Sequence, residues 1–290
     1  MILVVGATGV LGGMITGHLL DQGEQVRALV RQPSNARSLE ARGVETVTGD
    51  LKDAGSLERA CQGVEIVITT ANSSARGGDD NPQTVEDQGN RNLIDAARAA
   101  GVGHFVFTSA LGVDVNSPVP FVRAKAVAEQ YLKESGLTYT ILEPNLFVEI
   151  SCSNIIGGPL LAGQPVTLVG EGNRKHSMIS IEDVASFAVA AARNPRAGNR
   201  VLVLGGPVPV SWHDVIAVYE RLLGRQIEVR FVPMGEPLPG FPDFVSGLMN
   251  ALETFDSVIE MDALSHEFGM RLVPLEESIQ KLLTAVPTKA

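Results

Sequence analysis

The sequence predicts an α/β protein with a doubly wound parallel sheet, and three observations support this prediction. Short runs of β-branched and other apolar residues recur through the first half of the chain, at 2–5, 25–30, 45–48, 66–70, 104–108 and 138–142. Segments with the periodicity of helices separate these runs, at 11–20, 56–61, 84–100 and 123–134. A glycine stands where most of these helices should end. Strands that alternate with helices in this way form right-handed βαβ units and one parallel sheet.

The second half of the chain is less regular and predicts a smaller lobe. A helix at 181–193 and a strand at 200–204 are expected to return to the sheet. The remaining segments contain glycine and proline turns and three predicted helices, at 212–223, 244–254 and 276–283. We therefore expect a core made of residues 1–150, with 181–205 returning to it, and a smaller α+β lobe made of 151–180 and 206–290.

Composition excludes several classes of partner. The chain of 290 residues has a formal net charge of −10, which argues against a broad basic surface for nucleic acid. Its only cysteines, Cys61 and Cys152, are too few for a disulfide scaffold, and no cluster of side chains has metal-ligand spacing. Gly6 interrupts the first apolar run, and no other run approaches the roughly 20 residues of a membrane span. We therefore expect a cytoplasmic protein without a metal or a membrane or nucleic-acid partner.

The stretch VVGATGVLGG, residues 4–13, places glycines at every third position, 6, 9 and 12, directly after the first predicted strand. Gly6 permits a sharp exit from the strand, Gly9 lets backbone amides approach a pyrophosphate, and Gly12 allows the next helix to pack closely. The N-terminus of that helix then presents free N–H groups and a partial positive charge to the anion. Because the turn opens a βαβ series, it predicts a dinucleotide-binding site.

The end of the second predicted strand indicates which dinucleotide is bound. An acidic residue there would hold the ribose hydroxyls of NAD, but the strand ends in ALVRQ, residues 28–32, without one. Arg31 is suited to pair with the 2′-phosphate of NADP through its planar guanidinium, the alternative being a solvated arginine at the strand end. We therefore predict NADP(H) as the cofactor.

The G-x-x-G-x-x-G spacing resembles that of the short-chain dehydrogenase/reductase superfamily, and the resemblance covers most of the chain. Further matches are the LVR ending of the second strand and the stretches GDLKD (49–53) and NLIDAARAAGVGHFVFTSA (92–110). The segment AKAVAEQYLKESGLTYTILEPNLF (124–147) looks like the atypical NmrA-like branch. The resemblance implies an NAD(P)-binding Rossmann fold whose smaller C-terminal lobe binds the substrate.

The resemblance also implies which residues contact the cofactor. Asp50 and Leu51 would lie beside the adenine, although Asp50 is nearly as well explained as a loop residue that caps the next helix. Residues 70–72 would line the middle of the cofactor, and the region after the sixth strand would close over the nicotinamide. The predicted set is Gly6, Thr8, Gly9, Val10, Leu11, Gly12, Arg31, Asp50, Leu51, Thr70, Ala71, Asn72, Lys125, Pro144, Asn145 and Phe147.

The catalytic residues of the superfamily are only partly present. Typical members use a serine and a Tyr-x-x-x-Lys pair, in which the tyrosine moves the proton and the lysine lowers its pKa. Ser109 and Lys125 match the serine and the lysine, but Phe121 stands at the tyrosine position. The resemblance implies that Lys125 contacts the nicotinamide ribose, and its ammonium group is also a candidate proton donor. The alternative is a solvated helix charge paired with Glu129.

Three functions remain open from these residues. The first is an NADPH-dependent reductase that transfers hydride to a small apolar acceptor such as a quinone, an azo compound or a conjugated carbonyl compound. The second is a non-catalytic NADP(H)-binding redox sensor that acts through a protein partner. The third is a structural or assembly factor that keeps the nucleotide pocket for stability. His176, in a polar stretch, is expected to be a surface side chain, with proton donation to a substrate as the alternative.

Overall fold

The computed structural model describes residues 1–32, 36–74 and 76–285. Within this part the chain divides into two compact units. The first consists of Met1–Pro144 and Val184–Val203, and the second of Asn145–Asp183 and the described residues from Leu204 onward.

The helices and strands follow one another with short connections. In the first half they are β1 (Ile2–Val5), α1 (Val10–Asp21), β2 (Val26–Val30), α2 (Arg37–Glu40), β3 (Glu45–Thr48), α3 (Ala54–Cys61), β4 (Ile66–Thr69), α4 (Gln88–Ala99), β5 (His104–Thr108), α5 (Pro120–Glu134) and β6 (Tyr139–Pro144). In the second half they are α6 (Val148–Cys152), α7 (Gly158–Leu161), β7 (Val166–Val169), α8 (Ile181–Arg193), β8 (Arg200–Leu204), α9 (Trp212–Leu223), β9 (Val229–Val232), α10 (Asp243–Leu252), α11 (Asp262–Phe268) and α12 (Leu275–Ala285). A π-helical turn at Gln83–Asp87 precedes α4, where the periodicity of 84–100 predicts one continuous helix.

The main sheet has seven strands in the order β3-β2-β1-β4-β5-β6-β8. Strand β1 pairs in parallel with β2 on one side and with β4 on the other, so that Val5 lies opposite both Leu29 and Thr69. The strand order reverses at β1, and ligands of doubly wound sheets bind at the carboxyl ends of the strands beside such a reversal. The predicted doubly wound α/β fold is confirmed, and the reversal brings the loops after β1, β2 and β4 to one edge.

Apolar strands explain why this sheet lies in the interior. All four residues of β1 are buried, as are all four of β4, and such continuous apolar runs are typical of parallel strands covered by helices on both faces. Cys61 is buried in the core beneath β1, and Cys152 is buried in the second unit. Burial raises the pKa of the Cys61 thiol to about 11, so this thiol stays protonated at neutral pH.

The second unit has its own core and a two-stranded parallel sheet of β7 and β9. Trp212 and Tyr219 on α9 are almost completely buried there. His176 is also fully buried, so the expectation of a surface side chain was wrong. Its backbone exchanges hydrogen bonds of 2.9 Å with Val210, and its Nδ1 lies 2.7 Å from the hydroxyl of Ser257. Burial lowers the pKa of His176, which favours the neutral ring.

No helix among residues 1–32, 36–74 and 76–285 has the length and apolar character needed to cross a membrane. In the same described part of the chain, no three histidine, cysteine or acidic side chains gather in a way that would hold a metal ion.

Candidate functional site

The turn between β1 and α1 has a geometry that requires glycine at two positions. Gly6 has φ +95°, and a Cβ atom built on it would lie 2.6 Å from the hydroxyl oxygen of Thr70. A Cβ atom on Gly12 would lie 2.2 Å from the carbonyl oxygen of Gly6, far inside van der Waals contact. The first turn of α1 therefore packs against the backbone of the loop that leads into it, and a side chain at Gly12 would push the two apart.

Helix α1 begins with an uncapped N-terminus. Gly9 is the N-cap residue in an extended conformation and offers no side-chain acceptor, and the first turn contains no acidic residue. The first intrahelical bond, 2.8 Å long, runs from the amide of Gly13 to the carbonyl of Gly9. The amides of Val10, Leu11 and Gly12 thus precede the hydrogen-bonded part of the helix, where N–H groups and the helix dipole favour an anion.

Arg31, directly after β2, is one of three cations around a single carboxylate. Its Nη1 donates a hydrogen bond to Oδ2 of Asp80, and the Nζ of Lys52 donates a 2.6 Å bond to Oδ1. The Nη1 of Arg76 lies 3.7 Å from Oδ2. The pKa of Asp80 is lowered mainly by the hydrogen bond from Lys52 and to a smaller extent by the one from Arg31. The carboxylate is therefore ionised at neutral pH. Sequence reasoning found Arg31 but missed Lys52, Arg76 and Asp80.

These groups border a cleft at the carboxyl edge of the sheet in the first unit. Six of the residues predicted to contact the cofactor line it, namely Gly6, Thr8, Arg31, Asp50, Leu51 and Ala71. The other lining residues are Val5, Leu29, Arg76, Asp80 and Val85. The glycine turn, the end of β2 and the loops after β3 and β4 therefore contribute to one cavity.

Asp50 and the residues after β4 have defined local roles. The N-cap of α3 is Asp53 and not Asp50, whose carboxylate accepts a 2.9 Å bond from the amide of Lys52 within the loop. The capping role that the sequence left open for Asp50 is thereby excluded. The amide of Thr70 donates a 2.9 Å bond to the carbonyl of Val5, which fixes the loop after β4 beside the glycine turn. Ala71 is buried and Asn72 is exposed.

Lys125 on α5 is buried, with only 3% of its surface exposed. Its Nζ donates a 2.8 Å hydrogen bond to the carbonyl oxygen of Thr108 and lies 4.7 Å from the ring centre of Phe107 and 5.9 Å from that of Phe121. The alternative of a solvated charge paired with Glu129 is wrong, because Glu129 pairs with Lys133 at 2.9 Å. Burial lowers the pKa of Lys125 to about 8, while the nearby carboxylates of Glu86 and Glu129 raise it.

Several polar atoms around Lys125 are buried without a hydrogen-bond partner among the described residues. They include the hydroxyl oxygens of Thr108 and Ser109 and one carboxylate oxygen of Glu86. The other oxygen of Glu86, a fully buried residue, accepts a 2.7 Å bond from the amide of Ser73. Unpaired buried polar atoms are unusual in folded proteins and often mark functional sites. Sequence reasoning missed Glu86, since nothing in the 84–100 pattern distinguishes it from a surface residue.

Along the chain, β6 ends at Pro144 in the first unit, and Asn145 begins the second unit. The carbonyl of Pro144 accepts a 3.0 Å bond from the amide of Leu111 in the first unit. In the second unit, the side-chain Nδ2 of Asn145 donates to the carbonyl oxygen and to the hydroxyl oxygen of Ser257, at 3.1 and 3.0 Å. Phe147 is half-buried and forms a bridge to Ile179.

The fold and the glycine turn define a Rossmann-type dinucleotide-binding protein. A family model described as NAD(P)H-binding matches residues 6–195, which is well over half of the chain. The chain therefore belongs to the NAD(P)H-binding family, within the NmrA-like group of atypical short-chain dehydrogenases/reductases. The predicted family is confirmed.

The relatives of this chain differ from one another in function. The chain is 38% identical to photosystem II assembly factor Ycf39 of Cyanophora paradoxa over 80% of this chain and 72% of the relative. It is 31% identical to an NAD(P)H azoreductase of Xenophilus azovorans over 87% of this chain and 86% of the relative. Among solved structures, an NADPH-dependent quinone oxidoreductase of Escherichia coli in complex with NADPH is 26% identical, covers 98% of this chain and 100% of the other, and has a TM-score of 0.81. The predicted relationship to NAD(P)H-dependent oxidoreductases is confirmed.

Proposed function

We propose that this protein is an NADPH-dependent reductase that transfers hydride to a small apolar acceptor, such as a quinone, an azo compound or a conjugated carbonyl compound. The observation that carries the proposal is the buried ammonium group of Lys125, which bonds to the carbonyl oxygen of Thr108 and lies 5.9 Å from the ring centre of Phe121, the residue in place of a tyrosine. The hydroxyl of Ser109, the residue after Thr108, is buried and has no partner among the described residues. A buried cation and an unpaired hydroxyl are costly for a fold that makes no use of them. The reductases among the relatives support the same class of reaction.

The chain's residues fit a dinucleotide. The close backbone contact at Gly12 and the uncapped start of α1 suit a pyrophosphate, which needs N–H donors and no obstructing side chain. Arg31 would hold the 2′-phosphate, Asp50 and Leu51 would flank the adenine, and Lys125 would contact the nicotinamide ribose. When bound, the nicotinamide supplies the hydride.

The missing tyrosine restricts the class of acceptor. Reduction of a simple ketone generates a strongly basic alkoxide, which requires a positioned proton donor. The reduced anion of a quinone is far less basic and takes its proton from solvent or from a weak acid. Phe121 has no proton to give, whereas Lys125 with a pKa of about 8 is mostly protonated at neutral pH. The site therefore favours acceptors whose reduced form is stable as an anion.

The second unit is proposed to bind the acceptor and determine its identity, since the motifs of the cofactor site lie in the first unit. We also propose a cytoplasmic location.

A second function has its own support. Phe121 stands where typical members of the superfamily have the catalytic tyrosine, and the chain is similar to a photosystem II assembly factor. Both observations favour an NADP(H)-binding protein that acts through a protein partner without turnover. In that case the nucleotide would bind to the same residues.

One experiment separates the two functions. The purified protein is titrated with NADPH and NADH, and NADPH oxidation is then followed with a panel of quinones, azo dyes and enones. The reductase function predicts tight NADPH binding and turnover with at least one acceptor. Tight binding without turnover across the panel supports the sensor, and binding of neither nucleotide contradicts both.

A further inference from the structure

The carboxylate of Asp80 is surrounded by cations from three separate loops. Arg31 follows β2, Lys52 follows β3, and Arg76 lies on the loop after β4 that also carries Asp80. The Asp80 side chain is 12% exposed, whereas those of Arg31 and Lys52 are 46% and 36% exposed. The carboxylate is thus less exposed than the two cations that donate hydrogen bonds to it.

This cluster occupies the place that the cofactor proposal assigns to a phosphate. Asp80 and Arg31 line the same cleft as Gly6, Thr8 and Asp50. The guanidinium of Arg31 already donates to Asp80, so these donors are engaged by an anion that belongs to the chain. A phosphate that approaches Arg31 would be repelled by the negative charge of Asp80, because this carboxylate is already hydrogen-bonded to Arg31.

The loop that carries Asp80 contains a turn with two glycines. The amide of Asp80 donates a 3.3 Å bond to the carbonyl of Gly77, and both Gly77 and Gly78 have positive φ angles, of +74° and +63°. Gly77, Gly78 and Asp79 are exposed. The ion pairs with Arg31 and Lys52 therefore connect this glycine-containing turn to the loops after β2 and β3.

We propose that Asp80 is a resident anion that competes with the 2′-phosphate of NADP(H) for Arg31 and Lys52, and that the phosphate displaces it on binding. The inference rests on the proposed NADPH preference. A phosphate carries a charge of about −1.5 to −2 and three acceptor oxygens, so it replaces one carboxylate with a gain in charge-assisted hydrogen bonds. NADH lacks this phosphate and leaves the ion pairs in place. Asp80 therefore lowers the preference of the chain for NADPH over NADH.

The Asp80→Asn variant removes the charge and keeps the shape of the side chain. We expect its affinity for NADPH and for 2′,5′-ADP to rise about tenfold, the effect of removing a largely buried anion that pairs with the same cations. Affinities for NADH and 5′-AMP are expected to stay within about twofold, because neither ligand carries a 2′-phosphate. The matched control is Asp79→Asn, which removes the same charge from the exposed neighbouring position.

Calorimetric titration of wild type, Asp80→Asn and Asp79→Asn with these four nucleotides tests the proposal. Tighter binding of the two 2′-phosphorylated ligands by Asp80→Asn alone supports it. Unchanged or weaker binding, or an equal gain in Asp79→Asn, overturns it while leaving a wild-type preference for NADPH intact. A wild type without that preference, in which Asp80→Asn also gains no affinity for the two 2′-phosphorylated ligands, overturns the proposed cofactor and this inference together.

A measurement on the wild-type chain covers the case in which Asp80→Asn does not fold. Saturation with NADPH is expected to increase hydrogen–deuterium exchange in residues 76–82 relative to saturation with NADH, because only NADPH releases Asp80 from its partners. Equal or lower exchange with NADPH overturns displacement.

Discussion

The ammonium group of Lys125 donates a 2.8 Å hydrogen bond to the carbonyl oxygen of Thr108, at the carboxyl end of β5. This bond holds a buried cation against the backbone of the residue that precedes Ser109, whose hydroxyl is buried without a partner among the described residues. A carbonyl oxygen is a neutral partner and does not compensate the charge of the ammonium group. The site therefore maintains a cation at a cost in stability, as functional sites commonly do.

Replacing Lys125 with methionine should raise stability and lower activity. The drop in the pKa of Lys125 from 10.5 to about 8 corresponds to a cost on the order of 3 kcal/mol for burying the charge. Chemical denaturation at pH 7 should therefore show Lys125→Met to be about 1–3 kcal/mol more stable. Its kcat/KM for NADPH oxidation should fall about 100-fold.

The stability difference between wild type and Lys125→Met should depend on pH. Because the pKa of Lys125 is lower in the folded than in the unfolded state, the unfolded chain binds more protons between about pH 8 and 10.5. The free energy of unfolding of the wild type should rise through this window and approach that of the variant. The exposed Lys281→Met control should show no such convergence. A variant that is less stable at pH 7, or one with full activity, would contradict the assignment.

Glu86 should set the pH at which Lys125 loses its proton. The negative charge of Glu86 raises the pKa of Lys125, so Glu86→Gln should lower it and move the alkaline fall in kcat/KM to lower pH, by about one unit. Glu134→Gln removes a carboxylate from the exposed end of α5 and serves as the control. A profile that is unchanged, or moved to higher pH, in Glu86→Gln would exclude this electrostatic role.

The glycine turn offers a matched pair of alanine substitutions. A Cβ atom at Gly12 would lie 2.2 Å from the carbonyl oxygen of Gly6, whereas one at Gly13 would lie 3.5 Å from that of Ala7, an ordinary contact. Gly12→Ala should lose about 1–3 kcal/mol of stability and at least about tenfold in NADPH affinity. Gly13→Ala should gain up to about 1 kcal/mol from helix propensity and keep its affinity. Equal behaviour of the two variants in denaturation and titration would show that close packing at Gly12 does not shape the site.

Arg31 should determine the choice between nucleotides. Arg31→Gln is expected to weaken NADPH binding about 10- to 100-fold and to leave NADH binding nearly unchanged, because one charge-assisted partner of the 2′-phosphate is removed. Arg37→Gln, at an exposed position on α2, is the control. Fluorescence titration with both nucleotides measures the ratio, and an unchanged ratio in Arg31→Gln would remove Arg31 from the 2′-phosphate site.

Much of the fold was predictable because its signals are local. Alternating apolar runs and helical periodicity predicted β1 to β6 and α1, α3 and α5 to within three residues at each end. The π-helical turn at Gln83–Asp87 was not predictable, because the apolar periodicity of 84–100 continues through it. The prediction that His176 is exposed was wrong because it relied on the polar residues next to it in the sequence. Its position in the core depends on backbone hydrogen bonds to Val210, which is distant in the sequence.

The candidate site was predictable only where one short segment carries it. The glycine turn has its own spacing, and Arg31 stands out because the strand end lacks an acid. Asp80 lies 49 residues beyond Arg31, and their contact depends on how the loops after β2 and β4 meet at the sheet edge. Glu86 and Lys125 are likewise far apart in the sequence, and they come close enough to interact only in the folded chain. Groups that meet only in the folded chain leave no local pattern.

The reductase function is tested by the steady-state rate of NADPH oxidation with a small quinone, compared with the rate for NADH. We predict turnover that saturates with NADPH, falls about 100-fold in Lys125→Met, and has a kcat/KM for NADPH at least about tenfold above that for NADH. Tight NADPH binding without turnover on quinones, azo dyes or enones would contradict the reductase.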